Sequence, residues 1–289
     1  MKELFEKYKT YFPEENIQQK VAVIANNSHQ YATPENLKKL FSLIDLTSLN
    51  TEDNNTRIKA ICEKVNDFNN HYADMPNVAA ICVYPSMVDG VKKTLSAPGL
   101  QIASVGGGFP SSQTFLAVKI EECKKAIEAG ATEVDIVLSV GEFFEGNHEH
   151  CFKEIKSIKS AIGDRHLKVI LESGALRSSQ EIWEAGILAM EAGADFIKTS
   201  TGKQSPAATT EAVYIMTRAI NAFFETTGKK IGIKPAGGIS TPEDALAYFA
   251  IVKENLGEEW LNAKLFRIGA SRLANNLLKE IYQQEVKYF

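Results

Sequence analysis

The chain has 289 residues, of which 44% are hydrophobic and 24% charged, an ordinary composition for a globular protein. This length suits one large α/β domain or two small ones. A formal net charge of −4 and the lack of a basic run argue against a nucleic acid partner. No stretch approaches the roughly 20 apolar residues of a membrane span, so no membrane partner is expected. A small anionic ligand needs only a local positive pocket and stays compatible with this charge.

The cysteine pattern and the N-terminal sequence indicate the cellular compartment of the protein. The first residues lack the apolar core of a signal peptide. The cysteines show no Cys-x-x-Cys spacing, and a chain of this length needs no disulfides for stability. We therefore expect a cytoplasmic protein with four reduced thiols, at Cys62, Cys82, Cys123 and Cys151.

Apolar runs of strand length alternate with amphipathic stretches along most of the chain, as in βα units with a parallel sheet. We predict eight strands, at residues 41–46, 78–83, 101–105, 133–138, 168–171, 196–199, 231–234 and 264–268. Helices are predicted after them, at residues 53–69, 86–95, 112–129, 147–162, 178–192, 207–226, 241–254 and 271–285.

Eight βα units over about 250 residues predict an α/β protein of the (β/α)8 TIM barrel class. The catalytic barrel domain is expected to span residues 41–289. Residues 1–40 are predicted to be an N-terminal helical extension that caps the bottom of the barrel or joins a subunit interface, as in a homodimer. The alternative is a doubly wound open sheet, which usually has fewer repeats and a glycine-rich phosphate motif after its first strand.

Several predicted strands carry one charged residue in or at the end of an aliphatic run. Charged side chains are seldom buried unless they are paired or functional. Because strand side chains alternate between two faces, each of these strands has one aliphatic face and one face with a single reactive group. Helices would cover the aliphatic face, and the reactive groups would point towards the barrel axis. These groups are Asp45, Asp135, Lys198 and Lys234.

A weak internal repeat supports the barrel. Residues 128–135 align without gaps to residues 191–198, and in both a glycine ends a helix before a short turn leads into a strand. The alignment places Asp135 and Lys198 at equivalent depths of their strands, so the two side chains are expected to face one another.

A buried lysine beside a second ammonium is suited to Schiff-base chemistry. Free lysine titrates near 10.4, and lowering its pKa by about three units corresponds to roughly 4 kcal/mol. Burial of Lys198 and the charge of Lys234 would both favour a neutral amine that attacks a carbonyl. Asp135 is placed to move protons, and Asp45 to hold Lys234 and a water. The alternative is a purely structural ion network inside the barrel.

The turns after strands seven and eight indicate a phosphate site. Residues 236–244 lead into a helix, with Thr241 as N-cap and Pro242 at the first helical position. Residues 269–272 do the same after strand eight. Free backbone N–H groups at two converging helix N-termini bind anions, and barrels of this class often hold phosphate there. Lys203, one loop earlier, would add positive charge.

These segments resemble the deoxyribose-phosphate aldolase family, class I aldolases with a TIM barrel fold. The likeness covers about residues 40–275. It is carried by residues 45–49 (DLTSL), 80–85 (AICVYP), 133–135 (EVD), 196–203 (FIKTSTGK), 234–238 (KPAGG) and 266–271 (FRIGAS).

The resemblance implies reversible cleavage of 2-deoxy-D-ribose 5-phosphate to D-glyceraldehyde 3-phosphate and acetaldehyde, without metal or other cofactor. It implies that Lys198 forms the Schiff base, that Lys234 lowers its pKa and that Asp135 shuttles protons with a water. The substrate pocket would be lined by Asp45, Thr47, Cys82 and Thr201. The phosphate of the sugar would be held by Gly202, Lys203, Gly237, Gly238 and Ser271. We also predict that Gly269 and Arg272, in the turn after strand eight, bind the phosphate.

The chain departs from the family pattern in its phosphate loops. Ser240 stands where the family often has a basic residue, and Arg272 where it often has a second serine. Our hypothesis is that the positive charge has moved from one loop to the other. The loop after strand three keeps Phe109-Pro110 but otherwise differs, which leaves acceptor specificity open, and Tyr288 is a candidate for a C-terminal tyrosine near the phosphate.

Two alternatives remain at this point. One is another class I aldolase or a transaldolase that keeps Lys198 but takes a different acceptor. The other is a phosphosugar-binding barrel that binds its ligand without turnover.

Overall fold

A computed structural model describes residues 1–8 and 14–289 of the chain. Three helices precede the first strand: α1 (Lys2–Glu6), α2 (Glu14–Asn27) and α3 (Pro34–Ser42). The predicted extension, residues 1–40, includes residues 9–13, which lie outside the described residues. Helix α3 runs across the predicted boundary between residues 40 and 41, and the division into an extension and a barrel domain stays a prediction.

The central feature is a sheet of eight parallel strands. They are β1 (Ile44–Thr47), β2 (Ala80–Val83), β3 (Gln101–Val105), β4 (Glu133–Val137), β5 (His166–Ile170), β6 (Phe196–Lys198), β7 (Gly232–Lys234) and β8 (Ile268–Ala270). Their order is β7-β6-β5-β4-β3-β2-β1-β8, with parallel pairing at every step. Parallel bridges from Ile233 to Phe266 and from Ala236 to Gly269 join β7 to the β8 segment. The sheet therefore forms a TIM barrel, as predicted.

Helices alternate with the strands around the outside. They are α4 (Asn55–His71), α5 (Val88–Thr94), α6 (Leu116–Glu128), α7 (Val140–Phe144), α8 (His148–Ile162), α9 (Ser179–Glu191), α10 (Thr210–Thr227), α11 (Pro242–Leu256) and α12 (Arg272–Tyr282). The short helix α7 was not predicted. Several helices begin at a polar residue whose side-chain oxygen accepts a hydrogen bond from the third helical N–H, which fixes the first turn. These N-caps are Thr33, Asn54, Ser178, Thr209 and Thr241.

Two predicted strand boundaries are wrong. The first strand was placed at 41–46, but Phe41 and Ser42 end helix α3, whose buried apolar face includes Leu37, Leu40 and Phe41. The eighth strand was placed at 264–268 but begins at Ile268. The N–H groups of Leu265 and Phe266 both donate to the carbonyl of Asn262, at 3.0 and 2.8 Å, so a turn occupies the predicted start.

The pairing register arranges the side chains that point into the barrel in layers. In barrels of this class the inward residues of alternate strands form layers of four. Advancing by two residues for every second strand, the register gives three such layers. The upper layer is Cys82, Asp135, Lys198 and Gly269; the middle one is Asp45, Ala103, Lys168 and Lys234; and the lower one is Ala80, Glu133, Phe196 and Arg267. Asp135 and Lys198 thus share a layer, as their repeat predicted.

The hydrophobic core lies outside these layers, between the strands and the helices. Val134 and Ile136 of β4 and Ile81 and Val83 of β2 are buried in this outer core. Cys82 instead belongs to a separate small apolar cluster on the inner face. The inward and outward alternation predicted for these strands is therefore present, and apart from Phe196 the three inner layers consist of small and charged residues.

Two further features complete the fold. The four cysteines are buried and form no disulfides.

Among residues 1–8 and 14–289, no helix combines the length and the apolar composition that crossing a membrane requires.

Gly232 provides a test of barrel packing. A Cβ at this position would lie 2.2 Å from the ring of Phe196, whereas a Cβ on Gly186, inside helix α9, would make only ordinary contacts of 3.5 Å or more. We expect Gly232→Ala to lower the free energy of unfolding by about 1–3 kcal/mol, because the Phe196 ring must move. The matched control Gly186→Ala should be neutral or stabilise by up to about 1 kcal/mol. Urea denaturation measures both, and a Gly232→Ala protein as stable as the parent would contradict this account of the packing.

Candidate active site

Asp135 lies at the centre of a buried cluster of charges. Its Oδ2 accepts hydrogen bonds from Lys198 Nζ at 2.9 Å and from Lys234 Nζ at 2.8 Å. Its Oδ1 accepts from Lys168 Nζ at 3.1 Å. Asp135, Lys168 and Lys234 have no solvent-exposed surface, and Lys198 is 3% exposed. Three lysines from three different strands thus share one carboxylate, out of contact with bulk water.

A second tier of charges lies below this carboxylate. Arg267 Nη1 is 2.6 Å from Asp45 Oδ1, and its Nη2 is 3.0 Å from Glu133 Oε1. Glu133 Oε2 also accepts from Lys168 Nζ at 2.5 Å. Asp45 Oδ2 in turn lies 2.5 Å from Lys234 Nζ. Every carboxylate of the cluster therefore contacts at least two cationic side chains.

The charges do not balance if every group is ionised. The cluster holds three carboxylates and four cationic side chains, which gives a net charge of +1 when all seven are charged: Asp45, Glu133, Asp135, Lys168, Lys198, Lys234 and Arg267. In a low-dielectric interior an uncompensated charge is costly, and the usual response is loss of a proton. With one lysine neutral, three negative charges meet three positive ones.

Lys198 is the lysine that the contacts select to be neutral. Lys168 contacts both Glu133 and Asp135, and Lys234 contacts both Asp45 and Asp135. Among the residues that the structure describes, Lys198 forms an ion pair with Asp135 alone, through an oxygen that it shares with Lys234.

The pKa shifts follow the same pattern. Burial lowers the pKa of Lys198 below its ordinary value, and the Lys234 ammonium lowers it further against the opposing effect of Asp135. Burial disfavours the charged form of Lys234 too, but Asp135 and Asp45 outweigh it and raise its pKa. Burial likewise disfavours ionised Asp135, yet Lys168, Lys198 and Lys234 hold the pKa of its carboxyl well below the usual value. These shifts favour the neutral form of Lys198 next to the ammonium form of Lys234 and the carboxylate form of Asp135.

Small residues next to the charge cluster leave space for the side chain of Lys234. A Cβ on Gly269 would lie 3.1 Å from Lys234 Cε and 2.8 Å from Ala236 Cβ, so a side chain there would displace Lys234. Cys82 belongs to the small inner cluster, against which Tyr84 and Phe109 pack with their ring centroids 6.3 Å apart. One side of the barrel mouth is therefore apolar, opposite the charges.

The loop that carries Phe109 is anchored by a second buried ion pair. Lys119 Nζ, on helix α6, lies 2.7 Å from Glu154 Oε2 and donates to the hydroxyls of Ser112 and Ser139 at 2.7 and 2.9 Å. Ser112 belongs to the loop after β3, and Ser139 follows β4. This cluster ties the two loops together and fixes the backbone around Phe109.

Above Lys198 a cavity of about 210 Å³ opens at the carboxyl ends of the strands. Lys198 lies in its lining, and the rest comes from the loops after β1, β6, β7 and β8. The predicted residues that line it are Thr47, Lys198, Thr201, Gly202, Lys203, Gly237, Gly238, Gly269, Ser271 and Arg272. Asp45, Cys82, Asp135 and Lys234 are fully buried, outside the cavity lining, and so the structure divides the predicted site into a buried charge cluster and an open loop site.

Glycines bring two of these loops together. A Cβ on Gly237 would lie 3.1 Å from Gly202 Cα and 2.7 Å from Ala207 Cβ. Gly202, Gly237 and Gly238 all have positive φ angles, which glycine adopts without strain. The backbone at this point is therefore both close-packed and bare of side chains, as an anion site requires.

The N-terminus of α11 differs from the prediction. Thr241 and Asp244 form a capping box, in which Asp244 Oδ2 accepts from the amides of Ser240 and Thr241 at 3.2 and 3.0 Å. These amides are therefore satisfied within the turn. The helix start is the predicted one, but an anion has to use Gly237 and Gly238 instead.

Helix α12 offers a more open N-terminus. Its N-cap, Ser271, makes no side-chain capping hydrogen bond, and both Ser271 and Arg272 are exposed. Across the cavity, Lys203 Nζ donates to the carbonyl of Leu49. Two cationic side chains thus stand at the rim of the loop site.

Tyr288 lies away from the loop site. Its hydroxyl donates to the carbonyl of Lys64 at 2.8 Å, and its ring packs against Phe68, His71 and Tyr72. Asn275 Oδ1 accepts from the amides of Tyr288 and Phe289, both at 2.9 Å. In this conformation Tyr288 does not line the 210 Å³ cavity.

Three charged residues of the cluster were not recognised from the sequence: Glu133, Lys168 and Arg267. Glu133 lies two residues before Asp135, so strand alternation already placed it on the inner face. Lys168 interrupts the run 166–170 in the same way. Arg267 gave a weaker signal, because the predicted eighth strand began too early for its inward position to be assigned.

Comparison with known proteins gives a consistent picture. A profile described as "DeoC/LacD family aldolase" matches residues 39–256. The deoxyribose-phosphate aldolase of Homo sapiens is 43% identical over 257 residues, covering 85% of this chain and 80% of the human protein. That of Mus musculus is 42% identical over 261 residues, with the same coverage of both chains.

Solved structures agree with the fold. The deoxyribose phosphate aldolase from Aeropyrum pernix, described as tetrameric, has a TM-score of 0.66 and 25% sequence identity, covering 89% of this chain and 96% of that one.

Lys234 tests the electrostatic account of the site. Lys234→Met removes the ammonium next to Lys198 and leaves Asp45 and Asp135 short of positive charge, so the pKa of Lys198 should rise. Since the reactive amine is the neutral form, its fraction grows as the pH increases through that pKa. We expect the pH dependence of Schiff-base formation with acetaldehyde, measured from about pH 5 to about pH 10, to move upwards by about one unit or more. The exposed Lys229→Met is the matched control, and a profile that moves equally little in both variants would contradict the account.

Proposed function

Since the chain belongs to the DeoC/LacD family of aldolases, we propose that Lys198 is the Schiff-base lysine in the cleavage of 2-deoxy-D-ribose 5-phosphate. The observation that carries the proposal is the position of its Nζ. The Lys198 residue is 3% exposed, its Nζ lies 2.9 Å from Asp135 Oδ2, and it lines the cavity into which the glycine loops project. The products are D-glyceraldehyde 3-phosphate and acetaldehyde, and the enzyme is a lyase.

The first half of the reaction forms the iminium ion. The neutral amine of Lys198 attacks C1 of the open-chain sugar, and Asp135, acting with a water, moves the proton from nitrogen to the carbinolamine oxygen. A further proton, taken from solvent through the same water, converts the carbinolamine hydroxyl into a leaving water, and its loss gives the iminium ion; the same proton returns to solvent when the iminium is later hydrolysed. Lys234 stays an ammonium throughout and disfavours protonation of the free amine. Asp45 holds Lys234 from below, at 2.5 Å.

The second half breaks the carbon–carbon bond. The C3 hydroxyl gives up its proton to the Asp135–water pair, the C2–C3 bond breaks, and its electron pair moves into the iminium to give an enamine. Glyceraldehyde 3-phosphate leaves as the aldehyde. Protonation of the enamine at C2 and addition of water release acetaldehyde and restore the amine of Lys198.

The loop site takes the phosphate in this proposal. Backbone N–H groups around Gly202, Gly237 and Gly238, together with the open N-terminus of α12, suit a phosphate dianion. Lys203 and Arg272 supply positive charge at the rim, and Ser271 supplies a hydroxyl. Thr47 and Thr201, which line the same cavity, complete the walls of the substrate pocket, whereas Cys82 is buried outside this lining.

The setting of the enzyme is also part of the proposal. We place the reaction in the cytoplasm, where four buried free cysteines stay reduced. A homodimer stays a prediction.

Trapping of the Schiff base tests the central assignment. Treatment with acetaldehyde and borohydride should add one ethyl group, because borohydride reduces the iminium to a stable secondary amine. Peptide mapping is expected to locate it on the peptide containing Lys198. Lys198→Arg should abolish both labelling and turnover while the protein stays folded. Labelling of Lys168 or Lys234 instead would refute the assignment, and an unlabelled protein would favour a binding barrel without turnover.

Arg272 tests the phosphate site. Arg272→Ala should raise KM for the phosphorylated sugar about tenfold or more, because a charge-assisted hydrogen bond contributes about 1.5–3 kcal/mol, while kcat changes little. Unphosphorylated 2-deoxyribose serves as the matched control, since its turnover should not depend on this side chain. An unchanged KM for the phosphorylated substrate would overturn the assignment of Arg272.

A further inference from the structure

Arg267 is the one cation of the buried cluster that touches none of the residues assigned to proton transfer or to the Schiff base. It is 3% exposed and makes no contact with Lys198 or Asp135 among the contacts of the described residues. Its two side-chain partners are Asp45 at 2.6 Å and Glu133 at 3.0 Å. Burying a guanidinium is costly, and a structural role alone is served as well by apolar packing.

The position of Arg267 matters through its partners. Asp45 contacts Lys234, and Glu133 contacts Lys168, so each partner connects Arg267 to one of the two lysines that flank Asp135. If Arg267 were absent, the lysines would be the main cationic partners left to Asp45 and Glu133, with His166 as a further contact of Glu133. The negative charge of Asp135 would then be less compensated by Lys168 and Lys234. The charged form of Lys198, the third lysine in contact with Asp135, would be favoured.

We propose that Arg267 is a positioning residue for the aldol reaction: by neutralising Asp45 and Glu133 at the base of the cluster, it allows Lys198 to stay uncharged. With Arg267 present and Lys198 neutral, three carboxylates meet three cations. Without Arg267, the same balance requires a proton on Lys198, which removes the nucleophile. The proposal rests on Lys198 being the reacting amine, and it adds a determinant below the substrate pocket.

Charged and titratable groups surround the amine of Lys198 on several sides. Asp135, Lys234 and Cys82 act on Lys198, and Lys168 reaches it through Asp135. On the lower side, His166 Nδ1 lies 3.3 Å from Glu133 Oε1, and the His166 side chain is 46% exposed. His166 is therefore a histidine in direct contact with the cluster, and its effect has to be separated from that of Lys198.

Charge-changing variants give effects of opposite sign. Arg267→Met removes a positive charge, so the acid limb of the pH profile of kcat/KM should move upwards by about one unit, a tenfold loss of rate on that limb with recovery at high pH. Glu133→Gln removes a negative charge and should move the limb downwards. The double variant Arg267→Met/Glu133→Gln restores the balance and should return the limb towards its original position. The exposed Arg218→Met, on helix α10, is the control for loss of an arginine as such.

A merely structural role predicts a different outcome. Poor packing would lower the rate at all pH values without moving the limb, and the double variant would be worse than either single one. Both results would overturn the proposal. If Arg267→Met does not fold, as judged by circular dichroism and thermal unfolding, Glu133→Gln alone decides, because an unmoved or upward-shifted limb contradicts the proposal.

Two further measurements keep the inferences distinct. Repeating the series in a His166→Gln background removes the imidazole next to Glu133, and the shifts should persist there. Borohydride trapping with acetaldehyde is carried out on every variant. Failure to label Lys198 in the parent protein would refute the proposed function, whereas labelled variants with unmoved profiles would refute the role of Arg267 alone.

Discussion

The structure depends on a carboxylate that three lysines share out of contact with bulk solvent. Asp135 accepts from Lys168, Lys198 and Lys234 in a region where exposure to solvent is nearly absent. In bulk water such a cluster would be held weakly, since unit charges 4 Å apart interact by only about 1 kcal/mol. Inside the barrel the effective dielectric constant is lower, so charges at the same distances interact more strongly. The number of protons bound to the cluster therefore affects its stability. The chemistry of Lys198 follows from this constraint, because the cluster is balanced only when one amine gives up its proton.

The barrel geometry is what brings these charges together. The stagger between strands places the inward residues of alternate strands in one layer, so residues that are distant in sequence meet at one height. Asp135 and Lys198 meet in the upper layer, while Lys168 and Lys234 lie in the layer below. Small residues, such as Gly269 in the upper layer and Ala103 in the middle one, provide the volume that the long lysine side chains need. A change in register on one strand would move its charged residue to the outer core, so the fold and the site are specified by the same alternation.

Strand alternation was the most informative property of the sequence. It predicted the barrel and the inward orientation of Asp45, Asp135, Lys198 and Lys234, because a charged residue between two aliphatic ones has a single favourable direction. It failed where the strand itself was misplaced. Arg267 lies just before β8 in a segment whose preceding turn is fixed by hydrogen bonds to Asn262, which apolar periodicity does not reveal.

The individual ion pairs could not be predicted from the sequence. The existence of charged residues in strands was visible, but which oxygen each lysine contacts depends on the stagger around the closed barrel. The capping box of α11 illustrates the same limit at the loop site. Thr241 and Pro242 were correctly read as a helix start, yet the side chain of Asp244 occupies the amides that the prediction had left for an anion.

Two electrostatic environments are therefore kept apart within one site. The buried cluster is balanced and shielded from salt, whereas Lys203 and Arg272 stand at an exposed rim where solvent screens them. A phosphate dianion placed next to Lys198 would favour its protonated form and suppress the reaction. In the proposed mechanism the phosphate is held at the rim by backbone N–H groups and two cationic side chains, so its charge is compensated locally before its field reaches the amine. This separation would let the protein bind a strongly charged substrate while the proposed nucleophile, Lys198, stays neutral.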